Sequence, residues 1–168
     1  MPISDELKRI YVTAPVDEYY IETLTLEHPL FSDGGVRYIS NQRDGWTGDL
    51  ETGGTVFFQY VPFGAIPPNG AENANLTLSV AIDNTSRELM DELELLSTQP
   101  TTPISLVYRV YLQSDPTTVQ NDPPLKLDIL NVTATNNTIS FIASMANLRG
   151  RPFPKVLYTT ALYPGLAR

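Results

Sequence analysis

The chain has 168 residues, with 11 basic and 19 acidic side chains, a formal net charge of −8 and a pI near 4.5. This acidity argues against a nucleic-acid binder that grips phosphates and against a polybasic membrane patch. The absence of cysteine excludes disulfides, thiol catalysis and cysteine-ligated zinc, and a single histidine excludes most histidine-based metal sites. The length allows one domain with its own hydrophobic core.

A short helix is predicted from Ser4 to about Ala14. Ser4 can cap this helix, and the acidic residues Asp5 and Glu6 suit the positive end of the helix dipole. The apolar residues that follow have helical spacing, and Pro15 ends the pattern. The first residues, MPISDELKRIYV, lack a cationic start followed by an apolar run, so we expect no signal peptide.

Seven segments have the alternation, or the β-branched and aromatic composition, of strands. They are residues 19–27, 36–40, 55–61, 76–83, 104–112, 125–135 and 138–145. We interpret the polar, glycine-rich residues 41–54 as a loop or an irregular hairpin, and residues 63–75 as a loop. Because strands and helices do not alternate regularly, the chain is predicted to be mainly β (α+β) rather than a doubly wound sheet.

The strongest helical pattern covers residues 85–97. Leu89, Leu93 and Leu96 fall on one face of this predicted helix, and the opposite face carries acidic side chains that we expect to point to solvent. The acidic residues of this outer face are Glu88, Asp91, Glu92 and Glu94.

The last 20 residues differ in composition from the rest of the chain. Residues 149–168 carry four basic side chains, three prolines and no acid, which leaves seven basic and 19 acidic side chains in residues 1–148. We therefore divide the chain into a β-rich domain, 1–148, and a basic, proline- and aromatic-containing C-terminal arm, 149–168. The charge contrast predicts that the arm docks on an acidic surface, either of its own body or of a neighbouring copy.

The motifs of common catalytic and cofactor sites are absent from the sequence. There is no G-x-S-x-G nucleophile motif and no G-x-G-x-x-G phosphate loop, so we expect no enzyme, no cofactor and no metal site. His28 is interpreted as a surface residue at a strand end. Asp44 and Asp49 lack the spacing of a calcium-binding loop. Trp46 lies between them, and we interpret it as an exposed contact residue because tryptophan is enriched at interface hot spots.

Two parts of the sequence resemble a known family. The first consists of Thr55–Phe58, Val61–Phe63 and Leu76–Asn84, and the second of Arg151–Tyr158 and Tyr163–Leu166. Together they resemble the short minor tail proteins of long-tailed, non-contractile bacteriophages (siphoviruses) and prophages, over about residues 18–168. The first part is also similar to the opening of the lambda-type tail-tip protein L, a baseplate hub protein, over about residues 20–95.

The resemblance implies a structural virion protein of the tail tip, made in the cytoplasm of the host bacterium. It implies a tail-tube-like β-barrel or sandwich with a flanking helix at residues 85–97, whose copies form a ring, with a trimer favoured over a hexamer. The partners it implies are further copies of the chain, the distal tail protein, the central tail-tip or fibre protein and the tape measure. The iron–sulfur ligands of the lambda-type hub have no counterpart in a chain without cysteine.

A closed ring of β-domains needs broad contacts and an arm that reaches a neighbour. The residues expected at these assembly interfaces are Trp46, Phe63, Arg149, Arg151, Phe153 and Tyr158. DNA passes through a tail channel, and an acidic wall would repel it and let it slide. We hypothesise that the residues of such a wall are Glu88, Asp91, Glu92 and Glu94.

These expectations include no specific nucleic-acid binding and no membrane insertion. The alternative is a receptor- or carbohydrate-binding module, in which Trp46 and its loop make the contact.

Overall fold

The computed structural model describes residues 3–32, 34–67, 77–83, 91–92, 102–135 and 138–145. Within them lie one short helix and nine strands. They are α1 (Asp5–Thr13), β1 (Tyr20–Glu27), β2 (Val36–Ser40), β3 (Trp46–Asp49), β4 (Thr55–Tyr60), β5 (Phe63–Ile66), β6 (Thr77–Asp83), β7 (Ser105–Leu112), β8 (Leu125–Ala134) and β9 (Thr138–Ser144). Residues 91 and 92 are also helical, and the rest of the helix predicted at 85–97 lies outside the described residues, as does the arm at 149–168.

The predicted N-terminal helix is confirmed as α1. The Ser4 hydroxyl accepts a hydrogen bond from the Leu7 N–H at 3.1 Å, which satisfies one of the unpaired donors at the helix start. The helix ends at Ala14, which has a left-handed backbone (φ 41°) and whose N–H donates to the Ile10 carbonyl at 2.9 Å. The side chains of Leu7 and Ile10 are buried, so one face of the helix packs on the sheet.

The nine strands form one mixed sheet in the order β3-β4-β2-β1-β7-β8-β9-β6-β5. All neighbouring pairs are antiparallel except β2 and β4, which run parallel. The mainly β class is confirmed, together with all seven predicted strand segments. Within the described residues, no ladder joins β3 to β5, so the sheet is not closed into a barrel.

Two strands lie where the sequence predicted loops. β3 pairs with β4 across residues 46–49, so the hairpin interpretation of residues 41–54 is confirmed and the loop interpretation is wrong. Gly45 makes this hairpin possible, because it has φ +76° and a Cβ there would lie 2.4 Å from the Phe57 ring. β5 pairs with β6 through Phe63–Ile66, so the loop predicted at 63–75 begins only after a further strand.

Two hydrophobic clusters lie on opposite faces of the central strands. The main cluster joins α1 to one face of β2, β1, β7, β8, β9 and β6, and it includes Leu24, Leu106 and Leu78. A second cluster on the other face centres on Phe58 and Tyr111, where the β3–β4 hairpin packs on β7. β1 and β7 are therefore covered on both faces, whereas β6 alternates strictly between buried and exposed residues.

Candidate assembly surface

Four strands continue beyond the part of the sheet that is covered on both faces. β8 pairs with β7 through Leu125–Asp128 and one further bond from the Ile129 N–H to the Ile104 carbonyl at 2.9 Å, whereas it pairs with β9 up to Ala134. A register shift between Ile129 and Asn131 marks the point at which β8 leaves β7. We call β5, β6, β9 and residues 130–134 of β8 the projecting sheet. It is antiparallel throughout, in the order β8-β9-β6-β5.

Both outer edges of the projecting sheet are open within the described residues. The Thr135 N–H donates to the Thr138 carbonyl at 2.9 Å. In an antiparallel ladder, every second residue bonds to the partner strand, and the residues between point their N–H and C=O groups the other way. The backbone groups of Val132 and Ala134 therefore point away from β9. At the other edge, the Asp83 N–H donates to the Pro62 carbonyl at 2.9 Å. The same alternation turns the backbone groups of Ala65 away from β6.

Neither open edge carries a charged residue, although Pro62 and Pro67 bracket the four residues of β5 and a bulge precedes residues 131–134 of β8. Residues 130–134 (LNVTA) and 63–66 (FGAI) contain no charge and no proline. Leu130 and Ile66 are 67% and 71% exposed. Monomeric β-proteins usually protect an edge with lysine, proline or a covering segment, because an unprotected edge pairs with another chain. The two edges therefore have the character of an interface.

The outward face of the projecting sheet is covered by small, neutral side chains. A groove of about 270 Å³ lies on it between Ile66 and Ile142, over a floor that includes Gly64, Ala81 and Ser140. Within the projecting sheet itself, Asp83 is the one charged residue on this face. Beside it on the same face of β8 lie Asp128, which pairs with Ser144, and the exposed Lys126.

An ion pair between the buried Arg109 and Glu51 fixes the β3–β4 hairpin on the sheet face opposite the main cluster. Arg109 on β7 donates to both carboxylate oxygens of Glu51 at 2.6 and 3.1 Å, and to the Thr25 hydroxyl at 2.7 Å. Burial works to raise the pKa of Glu51, but the hydrogen bonds and the charge of Arg109 outweigh it, so the pKa lies below the ordinary value of 4.5. The pair is a structural contact because Arg109 is only 5% exposed.

The acidic face predicted for the helix at 85–97 is wrong at Glu92. Glu92 is 8% exposed, and its carboxylate accepts bonds from Arg37 Nε at 3.0 Å and from the Ser32 N–H at 3.2 Å. The hydrogen bond from Arg37 holds the pKa of Glu92 below its usual range, against the effect of burial. Glu92 thus binds the β1–β2 turn instead of facing solvent. Asp91 is exposed, and Glu88 and Glu94 lie outside the described residues.

The residues expected at interfaces are only partly described. Trp46 lies in β3 and is half-buried, with its ring centroid 6.5 Å from that of Tyr111. Its indole Nε1 is buried and has no hydrogen-bond partner among the described residues. Phe63 begins β5, at the open edge, and packs partly against the main cluster. The other four residues, Arg149, Arg151, Phe153 and Tyr158, lie outside the described part of the chain.

His28 was expected at the surface, and this expectation is wrong. It is 5% exposed because the turn after β1 folds back over it, with the His28 N–H donating to the Gly35 carbonyl at 2.9 Å. Its Nδ1 accepts a bond from the Leu30 N–H at 3.2 Å, and its ring lies 6.0 Å from Phe31. No group of three or more metal-ligating side chains occurs among the described residues, and no helix among them is long and apolar enough to span a membrane.

Comparison with protein families adds one finding to this geometry. A family model described as a domain of unknown function, DUF1833, matches residues 6–158. The chain belongs to the DUF1833 family. The match includes all nine strands, and therefore both open edges of the projecting sheet. No curated protein sequence matches the chain.

Glu51→Gln is expected to lower the free energy of unfolding by about 2 kcal/mol near neutral pH, because the buried Arg109 loses its anionic partner. The pKa of Glu51 in the folded state lies below its unfolded value, so the carboxylate stabilises the fold fully above pH 4.5. That contribution is lost as the pH falls through the folded-state pKa. Urea unfolding of both proteins across this pH range should show their difference shrinking below pH 4.5.

The control is Glu27→Gln, which changes an exposed carboxylate on β1 and should leave stability nearly unchanged. A difference between wild type and Glu51→Gln that stays constant down to the lowest pH would contradict this account.

Proposed function

We propose that this DUF1833 protein is a structural component of a bacteriophage tail tip or baseplate, a hub or minor tail protein, and not an enzyme. Its copies form a ring that continues the tail channel. The observation that carries the proposal is the pair of uncharged edges on the two sides of the projecting sheet, which no described strand covers. Such edges are a liability in a monomer, whereas they are the expected feature of a protein that completes its sheet with a neighbour.

The direction of the strands supports head-to-tail association. The projecting sheet has four antiparallel strands, so β8 and β5 at its two edges run in opposite directions. When the β8 edge of one copy meets the β5 edge of the next, the new pair is therefore antiparallel as well. A repeated contact between two different surfaces closes into a ring when its rotation allows. The sheet then continues from copy to copy without a change in strand pattern.

In such a ring, the outward face of the projecting sheet would face the channel. Its other face packs against the core through Phe63, Leu78 and Phe141, so the outward face is free to line the channel. In the projecting sheet this wall consists mostly of small neutral residues with the carboxylate of Asp83, and Lys126 lies beside it on the same face of β8. DNA that passes such a wall makes few phosphate contacts. This proposed wall replaces the acidic helix face, because Glu92 is committed to Arg37.

The proposed partners are further copies of the chain, with a trimer favoured over a hexamer, and the neighbouring tail proteins. These are the distal tail protein, the central tail-tip or fibre protein and the tape measure. The proposed location is the tail tip of the virion. The alternative of a receptor- or carbohydrate-binding module loses support, because Trp46 is held in a strand against Tyr111 instead of standing on an exposed loop.

Val132→Pro is expected to prevent self-association without unfolding the protein. Proline removes the N–H that Val132 turns toward the open edge, while the bonds from β8 to β9 remain. Sedimentation should show that half-assembly requires a concentration at least about tenfold higher than for wild type. The control is Val132→Thr, which keeps the N–H and the side-chain shape. Equal association of both variants would contradict edge pairing.

The location of the protein in the virion can be tested by immunogold labelling. Gold-labelled antibodies against the protein should bind particles from a strain that carries the gene, at the end of the tail farthest from the capsid. Particles produced with Val132→Pro should carry little or no label, because the ring does not form. Label on the capsid, or purified tails that contain none of the protein, would contradict the proposed location.

A further inference from the structure

Two exposed tyrosines form a ring pair where α1 meets the start of β1. The centroids of Tyr11 and Tyr20 are 5.1 Å apart, and their planes are inclined by 53°. Tyr11 is 50% exposed and Tyr20 is 38% exposed, so both rings keep a face that a partner can reach. Aromatic faces of this kind attract cations, since the ring quadrupole is negative above and below its plane.

A carboxylate completes this aromatic corner. Glu22 lies two residues after Tyr20 on β1 and therefore on the same face of the strand. Its Oε1 accepts a hydrogen bond from the Tyr108 hydroxyl at 2.7 Å, and its Oε2 accepts one from Asn41 Nδ2 at 3.4 Å. Tyr108 and Asn41 thus hold the carboxylate in position. We call Tyr11, Tyr20 and Glu22 the tyrosine–glutamate site.

Glu22 differs from Glu51 and Glu92 in its partners. Glu51 and Glu92 each have an arginine partner, whereas no Lys or Arg among the described residues forms an ion pair with Glu22. Burial raises the pKa of Glu22, although the hydrogen bond from Tyr108 opposes that rise. The charged carboxylate therefore lacks a compensating cation among the described residues. A cation stacked on an exposed face of the tyrosine pair would supply it.

We propose that the tyrosine–glutamate site binds a cationic side chain from residues 149–168 of a neighbouring copy. The inference rests on the self-association in the proposed function and names one of its contacts. The segment has the matching charge, with Arg149, Arg151, Lys155 and Arg168 and no acid. The body that receives it holds 19 acidic against seven basic side chains. Arginine in particular stacks on aromatic rings and pairs with a carboxylate at the same time.

The topology places the start of the segment far from the site in its own chain. Ser144, the last residue of β9, pairs with β8, and the same row of pairs continues through β7 to Glu27 of β1. Ser144 is therefore level with Glu27, at the end of β1 that is far from Glu22. Along the sheet this is a separation of about 17 Å lengthwise and about 14 Å across. The five residues from Ser144 to Arg149 span at most about 17 Å when fully extended, so the backbone of Arg149 stops short of its own site, which is about 22 Å away. The later cations of the segment are far enough along the chain to reach it, and the cross-linking below decides between the two copies.

Cysteine cross-linking between two full-length copies tests the contact directly. The natural chain has no cysteine, so each engineered thiol is unique. One copy carries Val12→Cys, which is exposed beside Tyr11, and the other carries Gly150→Cys, which lies between the two arginines and leaves them intact. A short thiol-reactive cross-linker should join them. Glu27→Cys, exposed at the other end of β1, is the matched position that should link at least about fivefold less.

The charge of Glu22 is tested in the same assay. Glu22→Gln keeps the shape and the bond from Tyr108, and it should lower the yield of linked Val12→Cys and Gly150→Cys copies about fivefold. Glu27→Gln on the same strand should not change the yield. Equal yields from positions 12 and 27, or an unchanged yield with Glu22→Gln, would overturn the inference.

Two further outcomes separate this inference from the proposed function. If light scattering shows an assembled protein that does not cross-link at position 12, the contact is wrong while the ring proposal stands. If a chain that carries both cysteines links only within itself, the occupant is the chain's own segment and the neighbouring-copy inference is overturned. A protein that is monomeric at every concentration contradicts both proposals.

Discussion

A backbone N–H or C=O group that leaves water must find a hydrogen-bond partner, and this constraint shapes the whole protein. Eight residue pairs join the backbones of the central strands β1 and β7, and both faces of these strands are covered. Within the described residues, each edge strand of the projecting sheet pairs with a neighbouring strand on one side only. The outer backbone groups of these uncharged edges face water, and an edge of this kind readily pairs with a strand of another chain. The proposed ring builds on that incomplete pairing.

Ion pairs divide the polar residues into those that build the fold and those that remain for partners. Arg109 with Glu51 and Arg37 with Glu92 are held in two-point contacts, and they fix the β3–β4 hairpin and the helical residues 91–92 to the sheet. Glu22 has only neutral hydrogen-bond donors. A carboxylate that is removed from water needs a compensating cation. Glu92 has one inside the fold, so the predicted acidic wall is wrong there. Glu22 has none among the described residues and is therefore suited to receive one. Charge that is already paired inside the fold does not act on DNA or on a neighbour.

The sequence predicts most of this fold because β-propensity and alternation are local signals. The strict alternation of residues 77–83 and the capping of α1 by Ser4 are examples. β5 was missed because four residues between prolines carry little strand signal, and its pairing comes from β6. The burial of Glu92 depends on Arg37, 55 positions away, which helical periodicity does not reveal. The resemblance to tail proteins suggested the ring, but the open edges that support it are visible only once the strand order is known.

The most direct test of this account is the mass of the purified full-length protein in solution, measured by light scattering over a wide range of concentrations. The account predicts that the mass rises with concentration to a fixed multiple of 18.6 kDa, with three copies favoured over six. A closed ring stops at that number, whereas an open chain of edge contacts would continue to grow. A folded β-protein whose mass remains 18.6 kDa at every concentration would contradict the account.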